Sequence, residues 1–156
     1  MPTVAVINGP NLNRLGRREP EIYGTATLDD VVDMVRAHAS DLGWSVTAFQ
    51  SNHEGDLIDE IQRQADAGVA GIILNAGALT HYSYALHDAI TAVNVPTVEV
   101  HISDISAREQ WRRQSVITEA CIAIISGHGV KGYLEALDLL LERVKVTSQP
   151  RLRAIG

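Results

Sequence analysis

Cysteine occurs once in this chain, lysine twice and phenylalanine once, and each scarcity removes a class of protein. A lone cysteine can form no internal disulfide, and Cys121, set in the apolar run ACIAII, reads as a core thiol rather than a nucleophile. Few aromatics leave little to sandwich a flavin ring. No apolar stretch approaches the roughly 20 residues of a membrane helix. No basic segment with an apolar signal core precedes the first strand-like run, so the chain reads as cytoplasmic. No spacing of histidine, cysteine and carboxylate resembles a zinc site and no serine sits in a nucleophile elbow, so neither metal nor cofactor is expected. Net positive charge is lacking too. A formal charge of −6 and a pI near 5.4 argue against nucleic acid as the main partner, because backbone phosphates require a basic face.

What is present is one domain's worth of core. At 156 residues and 46% hydrophobic, the chain can bury a single core and is too short for two ordinary domains; we expect a domain over 1–146 and a loose tail over 147–156. Strand-like runs at Thr3–Asn8, Ser45–Gln50, Gly71–Asn75, Thr97–His101 and Ala120–Ser126 alternate with helical patterns. The first helix starts at the Thr27 cap, with Asp30 three residues on, and stops before Gly43. Others are expected over about Asp56–Gly68, Tyr82–Val93, Ala107–Gln114 and Gly132–Val146, the last with a stripe of Leu134, Leu137, Leu140, Leu141 and Val144. This alternation predicts a doubly wound α/β fold, a five-stranded parallel sheet with helices on both faces.

The segment Asn8–Gly24, NGPNLNRLGRREPEIYG, is too long and too rich in chemistry for a plain connector. Its glycines and prolines fix a path, and its asparagines, arginines and Tyr23 suit a shaped lid over an anionic ligand. A phenol with a pKa near 10 is a poor base at neutral pH unless positive charge favours the phenolate, and Arg14, Arg17 and Arg18 lie within nine positions of Tyr23. A tyrosine merely packed under the loop, with solvated arginines, is the plainer alternative. Eleven of the thirteen basic residues are arginine, clustered at 14–18 and 108–113, which suits small oxyanions. In open parallel sheets ligands sit beyond the carboxyl ends of the strands where strand order reverses, and Asn8, Gln50, Asn75 and His101 close four of the five runs there. His101 can hold or release a proton near neutrality, and Glu99 lies two residues back on the same strand face.

The residues Ile7-Asn8-Gly9-Pro10-Asn11-Leu12, Leu15-Gly16, Arg18-Glu19-Pro20 and Tyr23-Gly24 resemble the signature of type II 3-dehydroquinate dehydratases. QSNHEG at 50–55, LNAGALTHYSYALHDA at 74–89, EVHIS at 99–103, and ARE with WRRQS at 107–115 extend the resemblance over nearly the whole chain. It implies a flavodoxin-like sheet of order 2-1-3-4-5 and a cofactor-independent anti elimination of water from 3-dehydroquinate through an enolate, giving 3-dehydroshikimate. That step serves both the shikimate route to chorismate and quinate breakdown. By resemblance Tyr23 is the proton acceptor, His101 the proton donor, and Arg18 stabilises the phenolate and developing charge. Glu99 orients or charges His101, and Asn11 holds a water or a hydrogen bond at the enolate oxygen. Asn75, Ser103 and the backbone N–H groups of Ile102 and Ser103 would hold the carboxylate, and His81 and Arg112 the ring hydroxyls. Asp88 would reach a neighbouring subunit's site in a dodecamer of stacked trimers. For Asn75, Arg112 and Asp88, a capping or solvated surface role is the plainer alternative. Asp104 and Ser106 depart from the residues usual beside the carboxylate-binding turn, and a negative charge there would weaken binding. The other known route to this reaction uses a lysine Schiff base, and neither Lys131 nor Lys145 closes a strand in the expected crevice.

Two rival readings fail on context. Gly127-His128-Gly129-Val130-Lys131-Gly132 fits G-x-G-x-x-G, yet no further strand ending in an acid follows, so these glycines read as a tight strand-to-helix turn rather than a dinucleotide site. A receiver-type module needs an acid cluster and a lysine at strand ends, where this chain has amides and a histidine.

Overall fold

The structure, a computed structural model, describes residues 1–148. Strands β1 (Thr3–Asn8), β2 (Ser45–Gln50), β3 (Gly71–Asn75), β4 (Thr97–His101) and β5 (Ala123–Ser126) form one parallel sheet in the order 2-1-3-4-5. The helices are α1 (Pro20–Tyr23, one turn), α2 (Leu28–Asp41), α3 (Glu54–Asp66), α4 (Tyr84–Val93) and α5 (Gly132–Ser148). This is the expected doubly wound arrangement.

Central strands covered on both faces need apolar residues at nearly every position, and β1 and β3 have them. Val4 and Val6 pack against Val31 and Val35 of α2 and Leu137 and Leu140 of α5. Ala5 and Ile7 point the other way, toward Leu57 and Ile61 of α3 and Leu86 and Ile90 of α4. Each such aliphatic side chain contributes about 1.5–3 kcal/mol on burial, so the two clusters hold the middle of the sheet rigid beneath its carboxyl end. Strands β2 and β5, at the edges, are mostly half-buried.

Local signals set most boundaries. Thr27 caps α2 reciprocally: its Oγ1 accepts from the Asp30 N–H at 3.2 Å while its own N–H donates to Asp30 Oδ2 at 3.0 Å. Helix α4 begins at Tyr84 rather than Tyr82, because Ser83 Oγ accepts from the Leu86 N–H at 3.1 Å. Helix α3 begins two residues earlier than expected and ends at Asp66.

Three expectations need correction. The helix expected over Ala107–Gln114 is two 3-10 turns, Ile105–Ala107 and Gln110–Arg112, with Arg108 extended between them. Apart from Ala107, Trp111 is the segment's one apolar side chain, so there was no apolar face to bury and no reason for a regular helix. The last strand starts at Ala123, since Thr118–Ala120 forms a 3-10 turn. Thr147 and Ser148, read as tail, belong to α5, and the rest of that tail lies outside the described residues. Among the described residues no helix is long and apolar enough to cross a membrane.

Candidate active site

The site begins where β1 and β3 end side by side, with Asn8 and Asn75 register partners. The chains leaving them cross backbone to backbone: the Gly9 N–H donates to the Asn75 carbonyl at 2.8 Å. A Cβ on Gly9 would lie 2.7 Å from the Ala76 oxygen, and one on Gly77, at φ +58°, would lie 2.9 Å from the Pro10 oxygen. Only glycine permits that crossing. The loop from Asn8 to Gly24 then follows a defined path, through a 3-10 turn at Leu12–Arg14 and the single turn of α1. Buried Leu12, Leu15 and Tyr23 tie it to the body.

Beneath the loop lies a small cleft. Arg18, Tyr23, Asn75, His81, His101, Ile102, Ser103 and Arg112 line it, as does Arg108. Tyr23 is 9% exposed, and its Oη accepts from Arg108 Nη1 at 2.6 Å. Arg18, expected as its partner, sits instead over the ring, with Cζ 4.7 Å from the centroid; Arg108 Cζ is 5.4 Å away. Two guanidiniums therefore face this phenol, one at the hydroxyl and one at the π face. Arg108 was legible as part of an arginine cluster, but nothing local ties it to a tyrosine 85 positions earlier.

Across the cleft His101, 5% exposed, sits at the end of β4. A ring nitrogen facing a carboxylate carries the proton, so Nε2, 2.5 Å from Glu99 Oε2, donates and Nδ1 is left for the cleft. Glu99 is fully buried and does not line the cleft. Thr80 and Ser115 hydroxyls donate to its Oε2 at 2.6 and 2.7 Å, and Thr118 to Oε1 at 2.5 Å. Burial pushes this carboxyl's pKa upward, but the His101 hydrogen bond and charge, with Thr118 and Thr80, outweigh it and hold it below the usual glutamate value. No sequence signal marked these hydroxyls, although Thr80 and Ser115 lie within the segments quoted above.

His81 Nδ1 lies 2.6 Å from the Gln114 carbonyl and must donate to it. Burial first, with the charges of His101 and Arg112, holds His81 below its ordinary pKa against the opposing pull of that carbonyl and Glu99. It is neutral at pH 7, and Nε2 is an acceptor. Its ring meets Trp111 edge-on at 5.4 Å, and Arg112 lies over that indole, with Cζ 4.0 Å from the centroid. Arg112 Nε is 2.6 Å from Glu109 Oε2, a charge contact without the alignment of a hydrogen bond, so this buried N–H keeps its donor capacity.

After His101 the chain turns. The N–H groups of Gly127 and Gly129 donate to the carbonyls of His101, Ser103 and Ile102 at 3.1–3.3 Å. The glycine-rich loop thus spends those donors bracing this turn, which removes them from any phosphate cradle. Among the described residues the N–H groups of Ile102 and Ser103 enter no backbone hydrogen bond outside the regular elements. Asp104 does not line the cleft: its carboxylate accepts from the Ser106 hydroxyl at 2.6 Å and N–H at 3.0 Å, and these bonds hold it below the usual aspartate pKa. The carboxylate thus stays ionised, held within its own turn.

Asn11 and Asp88 are not brought into the cleft. Asn11 is exposed at φ +69°, its N–H donating to Asn52 Oδ1 at 2.9 Å, and Asp88 is exposed on α4. Cys121 is half-buried against the α3–α4 cluster. Among the described residues no three His, Cys, Asp or Glu side chains are grouped to share a metal ion.

Known proteins share this architecture. A family model described as Dehydroquinase class II matches residues 2–141. The 3-dehydroquinate dehydratase of Caldicellulosiruptor bescii is 56% identical over 142 residues, covering 91% of this chain and 98% of that protein. The catabolic 3-dehydroquinase of Aspergillus clavatus is 50% identical over 136 residues, covering 87% and 90%. The crystal structure of type II dehydroquinase from Butyrivibrio crossotus superposes with a TM-score of 0.88 at 45% identity, covering 90% of this chain and 97% of that one.

Proposed function

The chain belongs to the dehydroquinase class II family, and from that membership we propose that it removes water from 3-dehydroquinate to give 3-dehydroshikimate. The observation that carries the reading is the opposition, across one cleft, of a phenol bonded to a guanidinium and an imidazole backed by a buried carboxylate.

Tyr23, as phenolate, takes the proton from C2, whose electrons pass to the C3 ketone as an enolate; Arg108 at its oxygen and Arg18 at its ring stabilise the charged base. Asn11 joins when the loop closes on substrate, holding a water or a hydrogen bond at the enolate oxygen. Collapse of the enolate expels the C1 hydroxyl, which leaves as water after taking a proton from His101 Nδ1, and Glu99 stabilises the imidazolium before transfer. The N–H groups of Ile102 and Ser103, with the Ser103 hydroxyl and the Asn75 amide, receive the substrate carboxylate. His81 Nε2 accepts from a ring hydroxyl and Arg112 donates to another. Asp88, exposed and outside its own cleft, completes the site of a neighbouring copy in a dodecamer of stacked trimers. The enzyme is read as cytoplasmic, serving the shikimate route or quinate breakdown; one relative is named a catabolic 3-dehydroquinase.

The test is to mix protein with 3-dehydroquinate and follow the near-ultraviolet absorbance of the enone, with and without borohydride. Enone formation indifferent to borohydride, and lost by about 10³-fold or more in Tyr23→Phe with the fold intact, is expected. No enone from a folded, assembled sample would overturn the reading. Sedimentation should give twelve times the 16.9 kDa subunit mass.

A further inference from the structure

Tyr133, at the start of α5, has no exposed surface, and it places a hydroxyl inside the apolar cluster formed with Val4, Val6 and Leu137. A phenylalanine would fill the same space without a polar atom to satisfy, so the hydroxyl calls for a reason. It has two partners, both at the carboxyl end of the sheet. Its Oη donates to Asn8 Oδ1 at 2.6 Å and accepts from Asn75 Nδ2 at 2.9 Å.

The directions of these bonds follow from one another. The Gly77 N–H can only donate, so the Asn75 atom facing it at 3.2 Å is Oδ1. Nδ2 therefore faces Tyr133 and gives it a proton. The single phenol proton must then go to Asn8, which turns its oxygen inward and leaves its own Nδ2 with no protein partner. Burial pushes the Tyr133 pKa well above the ordinary tyrosine value, against a smaller opposing pull from the Asn75 hydrogen bond, so the phenol keeps that proton across the working range. We infer that Tyr133 is a positioning residue for the binding site: together with Asn8 it reinforces the Gly77 N–H in holding the Asn75 amide in one of its two orientations, so the cleft meets a fixed pattern of donor and acceptor. The unpartnered Asn8 amide is what that arrangement leaves behind. The inference rests on Asn75 lining the substrate site proposed above.

Tyr133→Phe removes the hydroxyl and keeps the ring. It should raise KM by about five- to tenfold, the scale of one buried hydrogen bond, with kcat little changed. A second route is Asn8→Leu, which leaves the phenol proton with only Asn75 to meet and so sets it against the Gly77 N–H for the amide oxygen; it should raise KM by a similar factor. In an Asn75→Ala background, Tyr133→Phe should shift KM no further, whereas a purely structural role would give the same factor in both backgrounds. Wild-type KM in both folded single variants, or an undiminished effect in the Asn75→Ala background, would overturn the inference. Wild-type KM in Asn75→Ala would remove Asn75 from the binding site and the inference with it, while enone formation by the unaltered protein would leave the proposed reaction standing.

Discussion

Arg108 donates to the Tyr23 hydroxyl at 2.6 Å, although 85 positions separate the two residues. The nearer arginine in sequence, Arg18, covers the ring instead. The cation at the oxygen is the one that meets charge as it forms there. Arg108→Gln should therefore lower kcat by about 10²–10³, with a smaller change in KM, the scale of losing one aligned donor to a developing charge. Steady-state kinetics at saturating substrate check this; an unchanged kcat would remove Arg108 from the chemistry. Arg108→Lys should recover only part of the loss, because an ammonium lacks the planar fork.

Glu99 links the site to stability. Its carboxyl is held below its unfolded value, so the folded state favours the ionised form. That contribution is fully present above the unfolded pKa, near 4.5, and is lost as pH falls through the lower folded value. Urea midpoints between pH 3 and 7 should fall toward acid in the wild type. In Glu99→Gln, which has no ionised form to protect, the fall should be shallower, from a lower starting stability at pH 7. Parallel curves for the two proteins would show that acid sensitivity arises elsewhere.

The backbone crossing at Gly9 leaves no room for a methyl group, since the nearest atom is the Ala76 carbonyl and not a flexible side chain. Gly9→Ala should destabilise the fold by about 1–3 kcal/mol through forced displacement, and should impair turnover by parting the loop from the Asn75 end of the cleft. Thermal melts and kinetics together check both effects. A protein with wild-type values in both would show that the crossing can open freely.

Burial first, and then the nearby Glu99 charge, push the Cys121 thiol up to about 12. At pH 8 almost none of it is thiolate, the reactive form. Native protein should react with a thiol-specific disulfide reagent at least ~10²-fold more slowly than the same protein in denaturant. Comparable rates in both states would place the thiol in solvent.

Much of the fold was legible because its signals are local. The apolar runs of β1, β3 and β4, the Thr27–Asp30 capping box and the polar residues closing strands at Asn8, Asn75 and His101 all lie within short windows. The irregular stretch at 107–114 was not legible, since a segment with almost no apolar face has no period to read. The Thr80, Ser115 and Thr118 hydroxyls around Glu99, and Tyr133 between Asn8 and Asn75, escaped for another reason. Each acts through a hydrogen bond spanning 16 to 125 positions, and a hydroxyl's choice of partner leaves no trace in periodicity or composition.

The sheet order also governs when this site can exist. Strand β1 has β2 on one side and β3 on the other, so its second row of hydrogen bonds waits until residues 71–75 have been made. A ribosome that has delivered the whole signature loop has still not made Arg108, and the hydroxyl bonded to Asn8 comes later still, from Tyr133. Contacts this distant in sequence carry the loop-closure entropy of most of the chain. The first segment to be synthesised thus waits, with its arginines and tyrosine, for residues made much later to complete the cleft.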